Sequence, residues 1–294
     1  MIRKLTRTKS NRYPKISFSE AIERLTNTPL SSLSDYTTLI SSLGSISPDY
    51  FQNKYEGGLE LQQIPEELDQ LSRALIKRSR GKKIDYLEVG AGSCATLIFL
   101  SHLFEKNDID ASLYAIDNLN HYNTGLLENQ KTRIKWCQEN IGLSFYNMDT
   151  AKTEFTGWLK NRLFDVILVD GDHSFEGCLW DFTQCVKSLK RDGWIILHDI
   201  TSDACPGVRE VFELNKNVFK KSYVYSSSNT CGIGVLEGLP EYIELINNTF
   251  YYSIQKNKIL SEQIRESSKQ PAYSGVLTKW FKDQSRKLKR SLKL

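Results

Sequence analysis

Ile84-Asp85-Tyr86-Leu87-Glu88-Val89-Gly90-Ala91-Gly92-Ser93-Cys94-Ala95-Thr96 reads as a strand, a glycine turn and the start of a helix. The apolar run at residues 84–89 is short and stops at glycine, as a buried strand does. Gly90 and Gly92 let the backbone turn tightly and come close to a ligand, and the helix that follows offers free N–H groups. Residues 95–104 are apolar over a helical length.

The same alternation continues outward. Residues 113–116 end at Asp117, 143–148 at Asp149, 164–169 at Asp170, and 194–197 at His198-Asp199. A helix is expected over 175–189, and another over 65–78, opened by Pro65 at a first-turn position. Strands alternating with helices imply βαβ units and a parallel sheet, and the near-continuous apolar runs 166–169 and 194–197 suit strands covered on both faces. One acid at a strand end is commonplace, because Asp caps helices. Five ends with acids, counting Glu88, mark the carboxyl edge of the sheet, where open parallel sheets bind ligands.

The glycine turn alone does not choose the ligand. Gly90-x-Gly92-x-x-Ala95 fits the dinucleotide fingerprint, so an NAD-dependent oxidoreductase is one reading. Glu88 favours S-adenosylmethionine (SAM), since a carboxylate there would face the anionic pyrophosphate of NAD but can pair with the cationic methionyl part of SAM. Asp117 suits ribose hydroxyls in either ligand. Residues 222–226 and 231–236 form two strand-like runs around Ser227-Ser228-Asn229-Thr230, a closing hairpin after the fifth strand. The hairpin weighs further for SAM.

At this point the residues resemble class I SAM-dependent methyltransferases. The second half narrows this. Val169-Asp170-Gly171-Asp172-His173-Ser174-Phe175-Glu176, then Asp181, then Leu189-Lys190-Arg191-Asp192-Gly193-Trp194-Ile195-Ile196-Leu197-His198-Asp199-Ile200 resembles the O-methyltransferase family of macrocin O-methyltransferase-like and cephalosporin hydroxylase-like proteins. Pro206-Gly207-Val208, Cys231-Gly232-Ile233-Gly234-Val235 and Leu61-Gln62-Gln63-Ile64-Pro65 fit it too, so the resemblance spans roughly 56–238. Cys94 departs from it, standing where a third glycine is common. The resemblance implies a doubly wound, seven-stranded, mostly parallel α/β sheet whose last strand is antiparallel, with helical N- and C-terminal extensions. It implies domain limits of 1–63, 64–238 and 239–294, and methyl transfer from SAM to a hydroxyl of a sugar or other small acceptor. Gln63, Glu88, Gly90, Gly92, Thr96, Asp117, Asp149 and Asp170 are then the expected cofactor contacts. Mg2+ is expected on Asp170, Asp199 and His198, with hard oxygen ligands favouring that ion. Asp170, His173 and Asp199 are the expected catalytic residues, with His173 as proton acceptor. A non-catalytic SAM-binding scaffold is the remaining alternative, and the presence of all three argues against it.

Charge is unevenly spread. Residues 1–15 and 277–294 carry +6 each, so with an overall charge of +4 the residues between carry −8. A uniformly basic nucleic-acid binder does not look like this. No stretch reaches the length of a membrane span, and the basic N-terminus lacks the apolar segment of a secretory signal. The six scattered cysteines form no C-x-x-C pair, so reduced thiols and a cytoplasmic location are expected. Residues 16–45 are expected to be helical, with Ser17-Phe18-Ser19-Glu20 as a capping box. The chain is expected to be helical again from Pro240 to about 268, and after a break at 270–275 in a final basic helix. There Leu277, Phe281, Leu288 and Leu292 share a stripe beside Trp280. That pattern suits peripheral contact with the inner membrane face, and so a lipid-linked glycan as acceptor. An RNA contact and a docking helix in a homo-oligomer are its alternatives.

Overall fold

A computed structural model of the chain describes residues 16–30, 35–44, 58–120, 124–227 and 231–239. Its centre is a seven-stranded sheet made of β1 (Ile84–Val89), β2 (Ala111–Asp117), β3 (Ser144–Asn147), β4 (Phe164–Val169), β5 (Leu189–His198), β6 (Lys221–Tyr225) and β7 (Ile233–Glu237). The spatial order is β3-β2-β1-β4-β5-β7-β6. The first five strands are parallel, and β7 lies antiparallel between β5 and β6. The expected doubly wound sheet with its closing hairpin is what the chain forms.

The two-residue period of each strand assigns its side chains to two cores. Tyr86, Val166, Leu168, Trp194 and Ile196 pack with α1 (Phe18–Asn27), α2 (Thr37–Ser42), α3 (Pro65–Ser79) and α4 (Ala95–Lys106). On the opposite face, Leu87, Val89, Ile167, Ile195 and Leu197 pack with α6 (Thr153–Leu159), α7 (Phe175–Val186) and α8 (Pro206–Asn215). Glu88 alternates with Leu87 and Val89, so its carboxylate is carried to the α4 side. α5 (Thr124–Asn140) connects β2 to β3.

Several expectations need adjusting. Residues 16–45 do not form one helix. Ser17 caps α1 as expected, its hydroxyl accepting from the Glu20 N–H at 3.1 Å, but Thr28 is extended (ψ 131°) because Pro29 follows it. The chain resumes as α2, and Leu25, Leu30, Ile40 and Leu43 join the core of the sheet domain. α7 ends at Val186, three residues short of the expected limit, because β5 begins at Leu189. The register of β5 on β4 jumps from Phe164–Leu189 to Val166–Trp194, so the Lys190-Arg191-Asp192-Gly193 segment bulges within a longer strand. α5, α6 and α8 had no reading in the sequence. TGLLENQKTRIKWCQEN has no steady apolar stripe, TEFTGWL is short, and α8 is opened by Pro206-Gly207, a pair that suits a turn as well as a helix start. The C-terminal helices expected after Pro240, the basic tail 277–294 and the basic residues 1–15 lie outside the described residues.

Candidate active site

Strand order reverses between β1 and β4, and the loops leaving these two strands meet. The Asp170 N–H donates to the Val89 carbonyl at 2.8 Å, and the Gly90 N–H to the Ile116 carbonyl at 2.8 Å. Gly90 (φ +84°) permits this contact, because a Cβ there would lie 2.2 Å from the Asp170 carbonyl oxygen. Gly92 donates its N–H to Asp117 Oδ2 at 2.8 Å, and Asp117 Oδ1 takes the Leu119 N–H at 2.6 Å. A carboxylate has about four acceptor positions, so Asp117 keeps capacity for ribose hydroxyls. Cys94 sits in the left-handed region (φ +58°), which glycine adopts without strain. The departure from the common third glycine therefore costs backbone energy as well as changing the packing.

Glu88 is 2% exposed, and its Oε2 has no partner among the described residues. Burial, followed by the nearby Asp170 and Asp117, pushes its carboxyl well above the usual range. A buried carboxyl lacking a cation is costly unless a ligand supplies one. Asp149, beyond β3, is partly exposed and holds the Ala151 N–H at 2.9 Å.

Gln63 and Thr96 are buried and bonded together. The Thr96 hydroxyl donates to Gln63 Oε1 at 2.7 Å, and Gln63 Nε2 donates to Asp170 Oδ2 at 3.3 Å. The other Asp170 oxygen, Oδ1, faces His198 Nδ1 at 3.1 Å and His173 Nε2 at 3.3 Å. Burial alone would raise the Asp170 pKa, but the two imidazoles, His198 first, bring it below the usual carboxylate range. Burial would likewise discharge His198, yet Asp170 and Asp199 hold its pKa up to about 9. His173 is raised by its hydrogen bond to Asp170.

Asp199 follows β5 in the left-handed conformation (φ +64°), a strained state for a non-glycine residue that points to a local function. Its Oδ2 accepts from the Cys205 thiol at 3.3 Å and lies 3.7 Å from His173 Nδ1. The donor atoms of His173, Asp199 and Cys205 form one compact group, and those of His198, Asp199 and Cys231 another. Asp170 stands behind both imidazoles rather than beside Asp199 in either group. The sequence reading missed Cys205 and Cys231, because neither forms a close pair with another cysteine. Cys205 carried no signal in the sequence, because the helix that it precedes, α8, was itself not legible there. It also missed Glu67, which ties down the β6–β7 connection through the N–H groups of Ser227 (3.1 Å) and Gly232 (2.9 Å).

Residues 87–200 match the family model described as "Methyltransferase domain". Over these residues the chain is similar to a methyltransferase domain. No curated protein matches the chain. Among solved structures, the chain is similar to the O-methyltransferase TomG from Streptomyces achromogenes, involved in tomaymycin synthesis and solved with SAM. The identity is 13% and the TM-score 0.47, over 79% of this chain and 100% of that one. It is also similar to the O-methyltransferase from Bacillus cereus in complex with SAH, at 12% identity and a TM-score of 0.45, over 74% of this chain and 90% of that one. Among the described residues no helix is long and apolar enough to cross a membrane. None of the chain's six cysteines is in a disulfide.

Proposed function

We propose that the chain transfers a methyl group from SAM to a hydroxyl of a small-molecule acceptor, with a sugar or other polyol as the substrate class that the sequence resemblance favours. The unpartnered, buried Glu88 carries the reading. It sits beneath the turn where a dinucleotide would place its pyrophosphate, and it calls for a positive charge. Gly90, Gly92, Glu88, Asp117 and Asp149 would hold the cofactor, which supplies an electrophilic methyl group on a cationic sulfur. Gln63 and Thr96 act one step back by fixing Asp170. Asp170 in turn orients His173 through Nε2, so Nδ1, which faces Cys205 Sγ at 3.3 Å, is the nitrogen that would take the acceptor's proton. His198, held as a cation against Asp170, balances the buried carboxylates.

The residues do not form the all-oxygen shell that Mg2+ favours. Both oxygens of Asp170 are committed to imidazoles and the Gln63 amide, and Asp199 is grouped with nitrogen and sulfur donors. This reading therefore assigns Mg2+ no step. The basic stripe of 277–294 supports peripheral contact with an anionic membrane surface, which would suit a lipid-linked acceptor.

Calorimetric titration with S-adenosylhomocysteine (SAH), with NAD as control, tests the cofactor. SAH should bind and NAD should not. Glu88→Gln, which keeps the side-chain size and removes the charge, should fold normally yet weaken SAH binding by about 1.5–3 kcal/mol, the loss of a charge-assisted hydrogen bond. Binding of NAD alone, or equal SAH affinity in the variant, would refute the assignment.

A further inference from the structure

The two edges of the sheet differ in charge. Asp117, Asp149, Asp170, Asp172 and Asp199 stand at the carboxyl edge, around the site. At the amino edge the connections 77–83, 160–163, 187–192 and 220–221 lead into β1, β4, β5 and β6. They hold twelve basic residues and the single acid Asp192. Side-chain contacts tie these connections together. Arg78 donates to the Asp192 carbonyl, Lys190 Nζ lies 2.7 Å from Asp165 and 2.9 Å from Asp85, and Lys220 Nζ lies 3.0 Å from Asp192. Asp110 and Glu237, facing Lys83 and Lys221 at 3.8 Å, neutralise a further part of the charge. Arg80 and Lys82 are exposed and have no acid partner among the described residues.

Two further observations fall on the same edge. Leu163 and Val224 are the large apolar side chains that stand exposed among the described residues, and Leu163, at 57%, is the residue before β4. β4 is the middle strand of the seven, so Leu163 lies at the centre of the amino edge, with Lys160 and Arg162 exposed beside it. The described residues also end here. The Leu239 N–H donates to the Arg191 carbonyl at 2.9 Å, so the sequence that leads to the basic stripe of 277–294 leaves from this edge. Cations around an exposed aliphatic side chain suit an anionic lipid surface, where the charges meet headgroups and the apolar group enters the boundary with the acyl chains. A single-stranded nucleic acid calls for exposed aromatic rings, and no Phe, Tyr or Trp is exposed among the described residues.

We propose that the amino edge, through Arg80, Lys82, Arg162, Leu163 and Arg191, is the face that docks on an anionic lipid surface. The acids of the carboxyl edge are repelled by the same surface, so the site opens away from it. The two edges are one strand apart. β1 has 6 residues, and at about 3.3 Å each the site stands about 20 Å above the lipid. A lipid-linked glycan then meets the site with a sugar far from its lipid rather than with the sugar next to it. This rests on the peripheral-membrane reading of 277–294, and it gives the folded domain its own part in that contact.

The test is sedimentation of the full chain at low salt with vesicles of phosphatidylglycerol and phosphatidylcholine, with pure phosphatidylcholine vesicles as the reference. Arg80→Glu and Lys82→Glu should each lower binding to the anionic vesicles severalfold, and Leu163→Asp should do the same. Lys152→Glu makes the same charge change as Lys82→Glu in the connection after β3, at the carboxyl edge, and should leave binding as it is. Melting temperatures check that each variant folds. Vesicle-bound protein should take up SAH as tightly as free protein, because the cofactor edge faces solvent. A parent protein that ignores both vesicles overturns the membrane reading itself. Binding that survives Arg80→Glu and Lys82→Glu but is lost on deleting 277–294 overturns the edge alone. An equal loss with Lys152→Glu, or SAH affinity that falls on vesicles, overturns the orientation. Capture of a single-stranded RNA oligonucleotide without vesicle binding, lost in the same variants, replaces the lipid as partner.

Discussion

Asp181 shows how much one buried carboxyl can set. It lies in α7 beneath the Gly171-Asp172 turn and is nearly inaccessible, and its Oδ2 has no partner among the described residues. Burial first, and then the neighbouring Asp172 and Asp149, raise its pKa to about 7, against the opposing hydrogen bonds from Thr150 and the Asp172 backbone. Between about pH 4 and that value the folded chain holds a proton that the unfolded chain has released, so stability falls as pH rises through the window. The loss is up to about 1.4 kcal/mol per pH unit. Asp181→Asn should remove this dependence and leave the variant more stable than the parent at about pH 8 in urea titrations. Parallel pH profiles for the two proteins would show that the carboxyl is solvated by some other route. The sequence marked Asp181 as part of a motif but could not separate it from a surface acid, because burial is a property of the packed helix.

At the scale of elements, the β1 and β4 ends meet through a single glycine. Gly90→Ala should destabilise the protein by about 2–5 kcal/mol, combining left-handed strain with overpacking against the Asp170 carbonyl. Gly81→Ala is the control. Gly81 also has positive φ (+68°), but a Cβ there meets nothing within 4 Å, so about 1–2 kcal/mol of backbone preference is the whole cost. Equal melting temperatures for the two variants would mean that the strand ends can part freely. The strands and their terminal acids were legible in the chain, since a buried parallel strand must be an apolar run and its end must be polar. α5 and α8 were not. One lacks an apolar stripe, and the other starts with Pro206-Gly207, residues that serve a turn equally well. The extended Thr28 shows the same limit. An apolar helical period ran through Pro29, and the steric demand of the proline ring on the residue before it prevailed.

At the scale of the whole molecule, charge is the feature that the fold does not explain. The acidic middle contains the site, and the two basic ends flank it in sequence. Deleting residues 277–294 should reduce sedimentation with anionic liposomes severalfold at low salt while SAH affinity stays constant. Unchanged liposome binding would remove the membrane from consideration and leave a second protein copy or RNA as the target of the tail.

The sequence by itself determined the sheet class, the glycine turn, the placement of Glu88 and Asp117, and the acids along one edge. These follow from local chemistry: apolar runs that must be buried, glycines that must turn, and carboxylates that strands disfavour. Only the tertiary structure decided which groups those acids face. It put Gln63 and Thr96 behind Asp170, paired Asp170 with two imidazoles, and drew Cys205 and Cys231 to Asp199 from α8 and the β6–β7 connection. These partners are separated along the chain by as many as 107 residues. No spacing rule reaches that far, because what brings them together is the packing of helices on opposite faces of one sheet.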